Sequence, residues 1–223
     1  MIPDSIVPQH DPDKLDSTHA RDPRALRRQA FVDAAREAFF RHGYGATTMS
    51  SIAATVGGSK TTLWSYFASK EALFAAVIDD IVGRYSLALT IDLDVRGDVV
   101  TTLRDFGMAV MTTILSDQIL ALHRIVTGEA LRFPELGAMF HERGPKRGKA
   151  RLAAFIAAAM ADGRLRAGDP MIATYQFAAM CQGGFYQEVL LGLGDRGDMA
   201  MVARDVDAAV DTFLRAWAVT ARE

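Results

Sequence analysis

At 223 residues, half of them hydrophobic and 23% charged, the chain is long enough to bury one large core or two small ones. No apolar run approaches the length of a membrane span, the N-terminus lacks the basic-then-apolar order of a secretory signal, and the lone Cys181 cannot form an intrachain disulfide, which fits a cytoplasmic location. The net charge of −2 hides an uneven distribution, with eight Lys/Arg against three Asp/Glu in residues 21–70 and one lysine against four aspartates in residues 1–20, so a basic module on an acidic body suits a protein that meets nucleic acid with one end.

Residues 1–22 hold three of the seven prolines, several aspartates and no periodic apolar face, and are predicted to be a disordered acidic tail. Arg21, Arg24, Arg27 and Arg28 follow, either as an arm for phosphates or a minor groove or as a solvated helix start. A first helix is predicted from Arg24 to His42, with Phe31, Ala35, Ala38 and Phe39 as its inner stripe and Gly43 ending it. A second short helix carries Met49, Ile52, Ala53 and Val56 at i, i+3, i+4 and i+7, behind Thr47 or Thr48 as N-cap. Gly57-Gly58 marks a tight reversal. Ser59 can cap a third helix, in which Leu63 and Phe67 point inward.

The outward side of that third helix carries the chemistry. Ser59, Lys60, Thr61, Thr62, Trp64, Ser65 and Tyr66 combine a cation, hydroxyls and aromatic tips, which suit phosphate oxygens and base edges. Helix, turn and exposed second helix are how a helix-turn-helix presents its recognition helix to a major groove. Thr48, Tyr66 and Lys70 are the best phosphate candidates, Lys70 because it opens a fourth helix, where free N–H groups favour an anion.

The run from Arg28 to Phe74, about a fifth of the chain, resembles the DNA-binding domain of the tetracycline-repressor (TetR) family of bacterial transcription regulators. Phe31, Ala34-Ala35, Phe39, Gly43-Tyr44, Thr47-Thr48, Ile52-Ala53, Gly57, Leu63, Tyr66-Phe67, Ser69-Lys70-Glu71 and Leu73 carry the resemblance. Gly58 and Trp64 depart from it, standing where relatives usually have a small apolar residue and a tyrosine. The resemblance implies an all-α protein with a three-helix helix-turn-helix domain over residues 23–69. A helical ligand-binding and dimerisation domain over 70–223 would complete it.

The fourth helix, about 70–89, carries too wide an apolar stripe for one neighbour, from Leu73 and Phe74 to Val82 and Tyr85. It is expected to link the two halves. Further helices are predicted at about 97–116, 118–132, 134–143, 146–163, 169–191 and 199–220, separated by Gly, Pro and Asp signals. GEALRFPEL, residues 128–136, looks like family members that govern multidrug efflux. In relatives the last two helices pair with their symmetry mates, which would assign Gly183, Val206, Val210, Phe213 and Trp217 to a homodimer interface. Gly183-Gly184 within a helix costs roughly 1 kcal/mol each relative to alanine, so either close approach across a dimer or beside a ligand, or a tolerated kink, is expected there.

A small-molecule pocket in the C-terminal half has as candidates Phe106, Val110, Met111, Ile114, His123, Val126, Glu129, Phe133, Phe155, Tyr175, Met180 and Phe185, with plain core packing the alternative for each. His123 and Glu129 are its polar members and could orient an amphipathic or cationic ligand. GLGDRG, residues 192–197, has the glycine spacing of a dinucleotide loop but follows a helix, so it reads as an interhelical connection. No metal-ligand spacing, nucleophile elbow or carboxylate pair stands out, so neither enzyme, metal nor cofactor is expected. The combined expectation is a ligand-released repressor that binds a pseudo-palindromic double-stranded operator as a dimer, with an unidentified small-molecule effector and no membrane partner. The competing classes are a small-molecule-binding protein or enzyme with an incidental helix-turn-helix, and an architectural DNA-binding protein without a ligand.

Overall fold

The computed structural model describes residues 22–57, 59–86, 89–94 and 96–219. Over these the chain is helical, as expected: α1 (Pro23–Ala46), α2 (Met49–Thr55), α3 (Lys60–Tyr66), α4 (Lys70–Tyr85), α5 (Val99–Ile114), α6 (Asp117–Glu129), α7 (Pro134–Arg143), α8 (Pro145–Ala161), α9 (Pro170–Gln182), α10 (Phe185–Leu190) and α11 (Met199–Trp217). The predicted tail lies outside the described residues except for Asp22, whose carboxylate caps α1 by accepting the Arg24 N–H at 2.9 Å.

Each of the next three helices starts on a hydroxyl. Thr48, Ser59 and Ser69 accept the N–H groups of Ser51, Thr62 and Ala72, at 3.1 Å in every case, and so satisfy donors that a helix start leaves open. Gly43 interrupts α1 with φ 79, and Gly57 has φ 69 in the turn before α3. Both values lie in the left-handed region that side chains disfavour.

The apolar residues form two clusters. The first joins Phe31, Phe39, Tyr44, Ile52, Leu63, Phe67, Phe74, Ile78 and Ile81 from α1–α4 with Ile119, Leu122 and Val126 of α6 and Leu136 of α7. A unit ending at residue 69 would therefore strip its own core of α4, α6 and α7. The second cluster packs α5, α8, α9, α10 and α11 around Leu103, Phe106, Met111, Phe155, Phe177, Val206 and Phe213.

The helix predicted over 169–191 is two helices, α9 and α10, broken at Gly183-Gly184. The missing side chain at Gly184 makes room for Asp205 of the same chain. A Cβ there would collide with the Asp205 carboxylate, which accepts the first N–H of α10, that of Phe185, at 2.7 Å. At Gly184 the close approach is thus made within one chain, as a cap on a helix break.

The interface residues predicted on α11 require correction. Val206, Val210, Phe213 and Trp217 are all buried inside the protomer, and the Trp217 Nε1–H donates to Gln176 Oε1 at 2.9 Å. Their periodicity marked a buried face correctly, but the neighbours are α5 and α9 of the same chain. Gly183 is exposed.

Asp205→Ala removes a charged acceptor from the start of α10 and is expected to cost about 1–2 kcal/mol. A lowered urea midpoint checks this; an unchanged midpoint would show that the break needs no cap.

Candidate nucleic-acid interface and effector cavity

Helix α3 is anchored by a single fully buried side chain, Leu63, with Phe67 buried just after its end. Everything on its other side is available. Lys60, Thr61, Trp64 and Ser65 are exposed, Thr62 and Tyr66 half-buried, and Trp64 keeps 43% of its surface in solvent. Several hydroxyls are already engaged locally. Ser59 and Thr62 oxygens lie 2.9 Å apart, and Ser65 Oγ donates to the Thr62 carbonyl at 2.7 Å. Thr48 is exposed but forms a reciprocal cap with Ser51.

Two arginines that the sequence left between a DNA arm and a solvated helix start lie against this surface. Arg24 sits 5.9 Å from the Tyr66 ring centre and Arg28 5.0 Å from that of Phe67. With Asp22, Ala25, Ser65 and Tyr66 they line a hollow at the edge of α3. Guanidinium groups beside a serine and a tyrosine suit phosphate oxygens. The signal available in the sequence was the i, i+4 spacing of Arg24 and Arg28, but only the α1–α3 packing aims them at α3.

Lys70 differs from its expectation. Its ammonium donates to the carbonyls of Tyr44 and Thr47 at 2.8 and 3.0 Å and lies 4.2 Å from the Tyr44 ring centre. Burial lowers its pKa. At least two of its three donors thus hold the end of α1 instead of facing outward.

Glu129 closes the same turn from the other side. Its carboxylate accepts the backbone N–H groups of Tyr44 and Gly45 at 2.5 and 2.8 Å, so it leaves the cavity to which it was assigned. Phe133 also leaves it and packs edge-on against Tyr44, 5.0 Å between ring centres.

A cavity of ≈ 350 Å³ lies between the two core clusters. Phe106, Val110, Ile114 and His123 line it as expected. Of the other expected residues, Met111, Phe155 and Phe185 pack within the second cluster, with Met180 half-buried against it, and Val126 belongs to the first. Tyr175 lies on the surface, 52% exposed. In their place stand residues from helices that the sequence could not align: Val82 of α4 with Ser86 just after it, Ile119 of α6, Phe140 of α7, Leu152 of α8, Thr174, Ala178 and Gln182 of α9, and Tyr186 of α10. No signal in the sequence joins these into one wall.

The polar centre of the cavity is a pair, Tyr186 Oη and His123 Nδ1, 2.7 Å apart. Burial lowers the pKa of His123 and pushes that of Tyr186 up to about 12, so near neutral pH both are uncharged. Thr113 and Thr174 donate to the carbonyls of Ala109 and Pro170, which turns their oxygen lone pairs toward acceptor roles. Among the described residues the lining contains no carboxylate, and it includes the cation Lys149.

A histidine whose folded pKa lies below its unfolded value stabilises the fold fully above about pH 6.5 and loses that contribution as pH falls below it. Wild-type protein should therefore lose more stability between pH 7.5 and 5.5 than His123→Gln does, measured as the shift in urea midpoint. Equal losses would show that His123 is not the group responsible.

Comparisons with known proteins agree with this geometry. Residues 31–77 match the family described as bacterial regulatory proteins, tetR family, and residues 101–219 match the AefR-like transcriptional repressor C-terminal domain. The structure of the flavonoid-responsive regulator FrrA is similar at 34% identity and TM-score 0.76, covering 88% of this chain and 100% of that one. A TetR-family regulator structure from Mesorhizobium loti MAFF303099 gives 26% identity and TM-score 0.75, covering 89% and 100%. The repressor ComR of Escherichia coli (strain K12) is 36% identical over 64 residues, 29% of this chain, and the match spans only 30% of ComR's length.

Proposed function

The chain belongs to the TetR family of transcriptional regulators, and we propose that it is a repressor that binds a pseudo-palindromic operator as a homodimer and is released by a small molecule. The observation that carries the reading is the division of α3 into one buried anchor, Leu63, and an open face of Lys60, Thr61, Trp64 and Ser65. That face enters the major groove, where Thr61 and Trp64 meet base edges. Lys60, together with Arg24 and Arg28 at the flank, neutralises phosphates. An incidental helix-turn-helix would have no reason to leave an indole 43% exposed beside a cation and three hydroxyls.

A dimer engages both half-sites only if its recognition helices stand about one turn of duplex apart, roughly 34–36 Å. The face available for dimer contact is the outer side of α9, where Ile172, Tyr175, Ala179 and Gly183 are exposed at i, i+3, i+7 and i+11, a stripe on one side of a helix. This replaces the buried α11 residues as the interface. The effector occupies the cavity. Phe106 and Phe140 offer aromatic surfaces, while the His123–Tyr186 pair, Gln182 and the two threonines offer hydrogen bonds without charge. A flat, uncharged or weakly acidic aromatic compound bearing hydroxyl groups suits that lining. FrrA, whose name describes it as flavonoid-responsive, makes this class the first to try.

Duplexes enriched by the protein from a randomised pool test the reading directly. Lys60→Ala should weaken binding to the enriched duplex and reduce the slope of log affinity against log salt by about 1. Trp64→Ala should lower affinity severalfold with little change in melting temperature, because the ring is not part of the core. A large fall in melting temperature would place Trp64 in the fold instead. Ile172→Glu should yield monomers in sedimentation, and an intact dimer would move the interface elsewhere.

A further inference from the structure

We infer that Glu129 is a positioning residue for DNA binding: its carboxylate ties the turn carrying the helix-turn-helix to the helix that walls the effector cavity. This rests on the operator and effector reading above and deepens it by naming the residue through which the cavity acts.

The local chemistry is unusual enough to need a reason. Glu129 is the last residue of α6, where the negative end of the helix dipole disfavours an acid by about 0.3–1 kcal/mol. It stays because it accepts the N–H groups of Tyr44 and Gly45 on the far side of the interface. The contact is fitted on both sides. A Cβ at Gly43 or Gly45 would lie 2.8 or 2.9 Å from a Glu129 oxygen, closer than atoms settle without one of them moving. Thr47, at the end of the same turn, donates to the Gly43 carbonyl at 2.8 Å, and Thr48 then caps α2. The anchor therefore sits directly upstream of the helix-turn-helix.

Helix α6 carries that anchor at one end and the cavity at the other. Ile119 and His123 line the cavity, and Glu129 lies six positions beyond His123, about 9 Å along a helix. A rigid helix displaced at His123 moves its terminal carboxylate as well. Two directional hydrogen bonds tolerate only a small displacement before they lengthen out of range. Loss of the anchor frees the Gly43–Thr47 turn, and with it the aim of α2 and α3. By reciprocity, duplex binding must also be felt at the cavity end of α6.

Two variants test this. Glu129→Gln keeps the shape but turns an amide donor toward one of the two N–H groups. Gly45→Ala keeps Glu129 and pushes its carboxylate aside with a methyl group, so the two share one consequence by different routes. Amide hydrogen exchange is measured with and without a duplex enriched by the wild-type protein, alongside duplex affinity and melting temperature. The expected result in both variants is faster exchange over residues 43–47 and about tenfold weaker duplex binding, with melting temperature held within a few degrees. In the wild type the duplex should slow exchange over residues 117–126 of α6, and in both variants that slowing should disappear. Unchanged exchange at 43–47, undiminished affinity, or α6 slowing that persists in the variants would each overturn the proposal. If the wild type enriches no duplex, the operator reading fails on its own, while exchange at 43–47 still decides whether Glu129 holds the turn.

Discussion

The turn at residues 43–47 is the constraint on which the rest of the arrangement depends. Ending a helix exposes backbone carbonyls, and reversing direction exposes N–H groups as well. Here the carbonyls of Tyr44 and Thr47 receive the Lys70 ammonium, and the N–H groups of Tyr44 and Gly45 face the Glu129 carboxylate. Around these charges stands an aromatic cage. Tyr44 packs on Phe39, Phe74 and Phe133, with ring centres 5.0–5.5 Å apart. Partial burial makes an unpaired backbone group expensive, so the turn has few alternative conformations, and α2 and α3 inherit its rigidity.

Lys70 and Glu129 reach the turn from different helices, and both helices end in the cavity. Lys70 opens α4, whose later residue Val82 lines the cavity together with the C-cap Ser86. Glu129 closes α6, whose earlier residues Ile119 and His123 do the same. Two struts of opposite polarity thus join one turn to one hollow. The shared core, in which Ile119, Leu122, Val126 and Leu136 pack beneath the helix-turn-helix, makes the halves mechanically inseparable. An effector can act on such a system only by fitting one position of the struts better than the other.

The cavity and the dimer face were the least legible parts of the sequence. Phe106, Val110 and Ile114 were readable because they form one stripe on one helix, α5, at i, i+4 and i+8. Their opposite wall comes from six other helices, and periodicity within a helix says nothing about which helix faces it. The same blindness moved Phe213 and Trp217 from an imagined interface into the core. An apolar stripe announces burial, not whether the burying surface belongs to the same chain. Glu129 was singled out for its polarity in an apolar neighbourhood, which was the right signal attached to the wrong destination. Only the structure ends α6 at Glu129, against the dipole, and supplies the N–H groups of Tyr44 and Gly45 as its partners.

What the amino-acid order determined by itself is local. Cap residues, glycine turns and the i, i+3, i+4 spacing of apolar side chains act within a few residues, so the all-helical class, the helix-turn-helix and the open face of α3 follow without tertiary information. What only the folded structure decided is everything that depends on the meeting of distant segments. It alone diverts Lys70 inward, seats Glu129 on a turn some 84 residues away in sequence, breaks α9 from α10 over Asp205 and assembles the cavity. Long-range contacts are set by how complete helices pack, and packing answers to the shape and charge of all of them together.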